Sequence, residues 1–149
     1  MPEILDRPDA VAGECAVLLP HHRRSAGVAR LLLRRLLEGL EGGEQLLEVG
    51  ELLVSELVAN AVEHVRMPAG RVIELRCRVA AGHLRIEVAD AGGELPRVRE
   101  LTVEAESGRG LRLVRELALA WGCCPRTGGN GKVVWAVVGP DGLPGESTA

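Results

Sequence analysis

Two helical hydrophobic repeats that follow one another with no strand between them set the strongest limit on this fold. Residues 25–40 carry Val28, Leu31, Leu32, Leu36 and Leu40 with arginines between them, a repeat that Gly42 and Gly43 bring to an end. Residues 44–65 then begin a second, longer helical repeat, closed off by Pro68 and Gly70. A doubly wound sheet sets a strand after each helix, so this succession excludes one. Residues 14–20 read as a short strand ahead of the pair, and 71–80 and 83–89 as alternating strands joined at Ala81-Gly82 in a hairpin. A loop rich in Gly, Glu and Arg spans 90–108. Helical period returns over 110–120 through Leu111, Leu113, Val114 and Leu117, and 121–127 and 132–138 form a last pair with Asn130-Gly131 as its turn. The order β-α-α-β-β-loop-α-β-β predicts an α/β two-layer sandwich, a mixed and mostly antiparallel sheet with helices on one face. One domain over 14–138 is expected, between loose tails at 1–13 and 139–149 that are rich in Pro, Gly or both.

Composition removes several function classes. Phe and Tyr are absent and Trp occurs twice, so the core must be built from Leu, Val, Ile and Ala, and no set of aromatic rings is available for stacking on bases. The net charge of −3 supplies no positive field to gather nucleic acid or anionic lipid. Lys132 is the only lysine among 18 basic residues, a bias that points to GC-rich coding. Cys15, Cys77, Cys123 and Cys124 include no C-x-x-C pair and no His at matching spacing, which argues against zinc. They read as buried, reduced thiols and not as a disulfide framework. No apolar run approaches the roughly 20 residues of a membrane span, and no signal peptide opens the chain, so a cytoplasmic location without a membrane partner is expected.

The stretch 54–65, VSELVANAVEHV, carries the most chemistry. Glu56, Asn60 and His64 stand at i, i+4 and i+8, within about 80° of one another around a helix, on a row continued upstream by Leu53 and Val49. Glu44, Glu48, Ser55 and Arg66 mark a different, solvated face. An Asn oxygen is a suitable hard ligand for Mg²⁺, which fills its shell with water and phosphate oxygens. A Glu one turn earlier can accept the proton of an attacking hydroxyl. Taken alone, the pair reads first as solvated or helix-surface polarity.

Two further segments add to it. Asp90 ends the alternating strand Leu84, Ile86, Val88 and precedes Ala91, Gly92 and Gly93. A carboxylate there can accept from the exocyclic amine of adenine, where guanine presents a carbonyl, and glycine lets a base approach the backbone. A plain turn after a strand uses the same residue types. Gly108-Arg109-Gly110-Leu111 leads into a helix, so free N–H groups and the positive dipole end are placed for phosphate, with Arg109 as a charge-assisted donor. It is no Walker loop, since Val133 follows Gly131-Lys132.

In order and spacing, E-L-V-x-N-A-x-x-H from Glu56, D-x-G from Asp90 with Leu95-Pro96 after it, and G-R-G-L-x-L-V from Gly108 up to Trp121-Gly122 resemble the GHKL ATPases. The nearest likeness is to the small anti-sigma-factor serine/threonine kinases related to histidine-kinase ATPase domains, over roughly residues 14–138. That resemblance implies a Bergerat fold binding ATP and Mg²⁺, with Glu56 as catalytic base, Asn60 on the metal, Asp90 and Gly92 at adenine, and Gly108, Arg109, Gly110 and Leu111 in the ATP lid. It implies a regulatory kinase that phosphorylates a serine of an anti-anti-sigma protein and binds a sigma factor, with homodimerisation. The alternative it leaves is a non-catalytic module that sequesters such a partner. No phosphoacceptor helix precedes the domain, so a complete histidine kinase is not expected. The chain departs from the family pattern at Glu94 and Arg112, where many relatives have glycine, and at Lys132-Val133-Val134, where many have a threonine supporting the adenine-binding Asp.

Overall fold

The computed structural model describes residues 11–64, 71–90, 110–125 and 131–140. The chain runs β1 (Val11–Pro20), α1 (Ser25–Glu38), α2 (Glu44–His64), β2 (Val72–Ala80), β3 (His83–Asp90), α3 (Gly110–Leu117), β4 (Ala120–Pro125) and β5 (Lys132–Val138). The five strands form one sheet in the order β1-β2-β3-β5-β4. Every pairing is antiparallel, so the parallel element of the expected mixed sheet is absent from the described strands. The reason is local. A single helix between neighbouring strands returns the chain for a parallel partner, whereas α1 and α2 form an antiparallel pair that delivers Val72 opposite Pro20, where β1 ended.

Strand β1 begins at Val11, inside the stretch expected to be tail, because Val11 and Gly13 already pair with Ala80 and Val79 across an irregularity in register. Helix α3 stops at Leu117, short of the expected residue 120. The Leu119 amide donates to Val137 O at 2.8 Å, which turns the chain from helix into β4. The β2–β3 hairpin turns on Ala81 and Gly82, both at positive φ (54° and 78°), as a two-residue turn matched to the sheet twist requires.

Strand alternation divides the sheet cleanly. Leu75, Cys77, Val79, Leu84, Ile86, Val88, Val134, Ala136 and Val138 are buried on one face, while Arg76 and Arg78 are exposed and Glu74, Arg85, Glu87 and Trp135 half-buried on the other. Leu33, Leu37, Leu46, Val49, Leu53, Leu57, Leu111 and Val114 bring the helices onto the buried face, giving the two-layer sandwich. With no Phe or Tyr, close approach replaces bulk. Gly50 of α2 sits where an added Cβ would stand 2.9 Å from Leu84 Cδ2 and 3.1 Å from Leu33 Cδ2. On the outer face the Arg85 guanidinium lies 4.5 Å over the Trp135 ring and its Nε donates to Glu87 at 2.7 Å.

Candidate functional site

The direction of α2 decides which end of the sheet receives Glu56 and Asn60. Gly50 touches Leu84, at the start of β3. Asn60 lies ten residues further on, about 15 Å along the helix axis. Were α2 laid so that its C-terminal end ran out past the start of β3, His64 would stand about 40 Å from Val72, beyond the ~28 Å that eight residues span fully extended. The C-terminal half of α2 therefore runs toward the end of β3.

That edge also holds the backbone of Asp90, a further residue of the expected site. Asp90 closes β3 and pairs with Ile73 near the start of β2. Val133 pairs with Ala89, so Lys132 stands at the same edge, next to the backbone position of Asp90. Pro20 and Val72 pair there, and so do Pro125 and Lys132. Val72, Asp90, Pro125 and Lys132 therefore all stand at this end of the sheet. Asn60 and Asp90, 30 positions apart in sequence, thus share one end of the sheet.

Asn60 is the most informative side chain. It is only 4% exposed, on the row that continues from Val49 and Leu53, and its Oδ1 has no hydrogen-bond partner among the described residues. A buried carbonyl oxygen left unmet costs about 1–3 kcal/mol, so a site that offers one is fitted to something that supplies a donor or a cation. Mg²⁺ held mainly by phosphate and water needs few protein ligands, and an amide oxygen is of the right hardness. One turn before it, Glu56 is half-buried. Burial, and then the like charge of Glu63, push its carboxyl above the ordinary value. Ser55, on the other side of the helix, accepts from Arg30 Nη1 at 2.9 Å, and Glu51 accepts from Arg34 Nε at 2.8 Å, bonds that tie α1 to α2.

The remaining expectations divide. Gly110 is the first residue of α3, and Leu111 is 1% exposed in the hydrophobic core, so its side chain anchors the helix and only its backbone N–H is left for a ligand. Gly92, Gly108 and Arg109 lie outside the described residues, as do Glu94 and the side chains of Asp90 and His64. Arg112 is exposed and its Nε donates to Glu116 at 3.4 Å. Reading motifs alone gave Lys132 no role at the site. It is 6% exposed and alternates in phase with Val134, Ala136 and Val138, which puts the chain's single lysine on the buried face at this edge.

The fold, with a polar α2 terminus over one sheet edge, defines a class, and comparison with known proteins agrees. The family model described as "Histidine kinase-like ATPase domain" matches residues 19–138. The chain belongs to that family. Among solved structures it is similar to the RsbU and RsbW domains of Rv1364c from Mycobacterium tuberculosis, at 20% identity and a TM-score of 0.61, covering 85% of this chain and 32% of that one. It is similar also to the histidine kinase domain of a blue-light activated histidine kinase from Erythrobacter litoralis, at 22% identity and a TM-score of 0.50, covering 80% of this chain and 60% of that one. The chain therefore spans about a third of the first and three-fifths of the second, and these likenesses speak for the fold. No curated protein matches the chain. Among the described residues, no helix is long and apolar enough to cross a membrane.

Proposed function

We propose that this protein is an ATP-binding regulatory serine/threonine kinase of the anti-sigma-factor type, acting in the cytoplasm on an anti-anti-sigma partner and also binding a sigma factor, as a homodimer. Its ATPase-domain fold is established by family. The finer reading rests on one observation, the buried Oδ1 of Asn60, without a partner among the described residues, one helical turn from a Glu of raised proton affinity. On this reading Asn60 holds Mg²⁺, which when bound with the nucleotide offsets charge on its phosphates. Asp90 accepts from the adenine amine and Gly92 keeps the backbone clear of the base. Gly108, Arg109 and the free N–H groups of Gly110 and Leu111 receive the phosphates. Glu56 takes the proton of the acceptor serine as its oxygen bonds to the γ-phosphorus, and ADP leaves.

Two experiments test the reading. Incubation with Mg-ATP and the partner should give a phosphoserine with wild type and at least a hundredfold less with Glu56→Ala, in line with the range for a general base; equal transfer by both sinks the mechanism. Titration with ATP and GTP should show a preference for ATP that Asp90→Asn abolishes. Indifference of wild type to both nucleotides removes the site altogether.

A second reading, a module that captures its partner without phosphotransfer, draws on the first half of α1. There Val28 and Leu31 are 43% and 57% exposed in a groove lined also by Arg23, Arg24, Arg30 and Arg34. Apolar contact ringed by positive charge suits an acidic amphipathic segment of a protein partner. Partner capture that persists while no phosphoprotein forms in a single turnover decides for this reading.

A further inference from the structure

Of the four cysteines, two are placed opposite each other. Cys15 of β1 and Cys77 of β2 are direct partners in the antiparallel register. Directly opposed residues have Cα atoms roughly 4.5–5.5 Å apart, within the roughly 4.4–6.8 Å that a disulfide spans. Their side chains share a face. Cys77 alternates with buried Leu75 and Val79, and Cys15 is in phase with Val17 and Leu19. The other two thiols lie across the sheet on β4, the opposite edge strand, four strand spacings or about 19 Å from Cys15 and three, or about 14 Å, from Cys77. Cys123 and Cys124 are paired in register with Val134 and Val133, and as neighbours in a strand they point to opposite faces.

The pair is also chemically unequal. Cys15 is half-buried, and Cys77 is fully buried at 0% exposure. The Cys77 thiol donates a hydrogen bond to the Cys15 sulfur, which brings Cys15 down to about 7 against the opposing effect of burial. That same bond, and then burial, push Cys77 up. One sulfur is therefore accessible and thiolate-prone, and the other is a protonated neighbour held against it. This is the arrangement of an attacking and a resolving cysteine.

We propose that Cys15 and Cys77 form a redox site, at which a hydroperoxide oxidises the pair to a cross-strand disulfide that staples edge strand β1 to the sheet. The Cys15 sulfur attacks one peroxide oxygen, the O–O bond breaks, and Cys15 becomes a sulfenic acid while the other oxygen leaves as alcohol or, from hydrogen peroxide, as water. The Cys77 sulfur then attacks the Cys15 sulfur. The S–O bond breaks, and hydroxide leaves with the Cys77 thiol proton as water. The two thiols lose two electrons in all and the peroxide gains both. Because β1 is an edge strand held in the sheet by β2 alone, a covalent link there ties that edge to its one neighbour.

The test treats the full chain, folded and reduced, with a few equivalents of hydrogen peroxide, alkylates the remaining thiols and maps the peptides. Expected are a loss of about 2 Da reversed by dithiothreitol, a Cys15–Cys77 linked peptide, alkylated Cys123 and Cys124, a raised Tm and slowed amide exchange in β1. In Cys77→Ala, dimedone should trap a Cys15 sulfenic acid that wild type does not accumulate. A link through Cys123 or Cys124, a disulfide between two molecules, faster oxidation of exposed Cys124 than of Cys15, or no disulfide at all overturns the proposal. The wild-type map decides by itself should the buried Cys77→Ala change impair folding.

Discussion

Replacing Asn60 with leucine should make the free protein more stable and the nucleotide-loaded protein less so. In the free chain, Asn60 occupies a core-facing row of α2 at 4% exposure, and its Oδ1 has no hydrogen-bond partner among the described residues. Removing that oxygen recovers about 1–3 kcal/mol, and leucine's better helix propensity adds roughly 0.5 kcal/mol. Against this stands about 1 kcal/mol for whatever hydrogen bond the amide nitrogen gives up. The net gain is about 1–2 kcal/mol. For a chain of 149 residues, with an unfolding entropy near 2.1 cal/mol/K per residue, that raises Tm by about 3–6 °C. Saturating Mg-ATP acts the other way. At a hundred times its dissociation constant it stabilises wild type by about 2.7 kcal/mol, or roughly 9 °C, and a protein lacking the Asn60 oxygen forfeits most of it. Thermal unfolding followed by circular dichroism, with and without Mg-ATP, reads both effects. The order of the two melting temperatures should reverse on adding nucleotide. A variant that melts below wild type in the free state refutes the account of Oδ1 as a standing cost, and an undiminished nucleotide shift refutes its role as a ligand.

Glu56 predicts a pH effect of definite sign. Its folded-state carboxyl is raised by burial and by Glu63 above the ordinary value of 4.5, so just above that value the folded state binds more protons than the unfolded state. Stability attributable to Glu56 is therefore full at lower pH and is lost as pH rises through the folded value. Glu56→Gln should match wild type at about pH 4 and exceed it at about pH 7, as judged from urea midpoints; a difference independent of pH contradicts the assignment. At the α1–α2 corner, a Cβ on Gly43 would collide with the Leu37 carbonyl, whereas Gly42, at φ +80°, has nothing within 4 Å. Gly43→Ala should cost about 3 kcal/mol or more and Gly42→Ala only about 1 kcal/mol, by chemical denaturation; equal costs contradict the packing argument.

The layer order and helix positions were legible because hydrophobic period survives without aromatics. The alternation of Leu84, Ile86 and Val88, and the α2 repeat through Val49 and Leu53, mark core faces by themselves. Boundaries were less legible where a tertiary hydrogen bond sets them. Nothing local stops α3 at Leu117, since the decisive partner of the Leu119 amide is Val137, 18 residues on. The uniformly antiparallel sheet was hidden for a similar reason. Strand direction follows from how α1 and α2 pack, and periodicity does not report packing. The cysteines read as buried thiols, yet Cys124 is exposed and Cys15 and Cys123 half-buried, because their exposure depends on which strands lie at the sheet edges. Asn60 could be named from its spacing to Glu56. That its oxygen is buried, with no partner among the described residues, depends on α2 facing the core along this row, which spacing cannot tell apart from a solvated helix face.

Kinase and sequestering module share Asn60 and part company at Glu56. A module that only binds nucleotide gains from Asn60 and has no use for a partly buried carboxylate beside it; burial merely destabilises the charged form. A kinase has a use for both, because the burial that raises the proton affinity of Glu56 also improves it as an acceptor at the moment a serine hydroxyl loses its proton. The cost is borne in the free protein and recovered only during transfer. Such a cost, placed one turn from a buried amide oxygen without a partner among the described residues, is what a stability-optimised helix would have removed. The pH dependence of Glu56→Gln follows from the burial of Glu56 on either reading, so the phosphotransfer lost or kept in Glu56→Ala is the measurement that separates them.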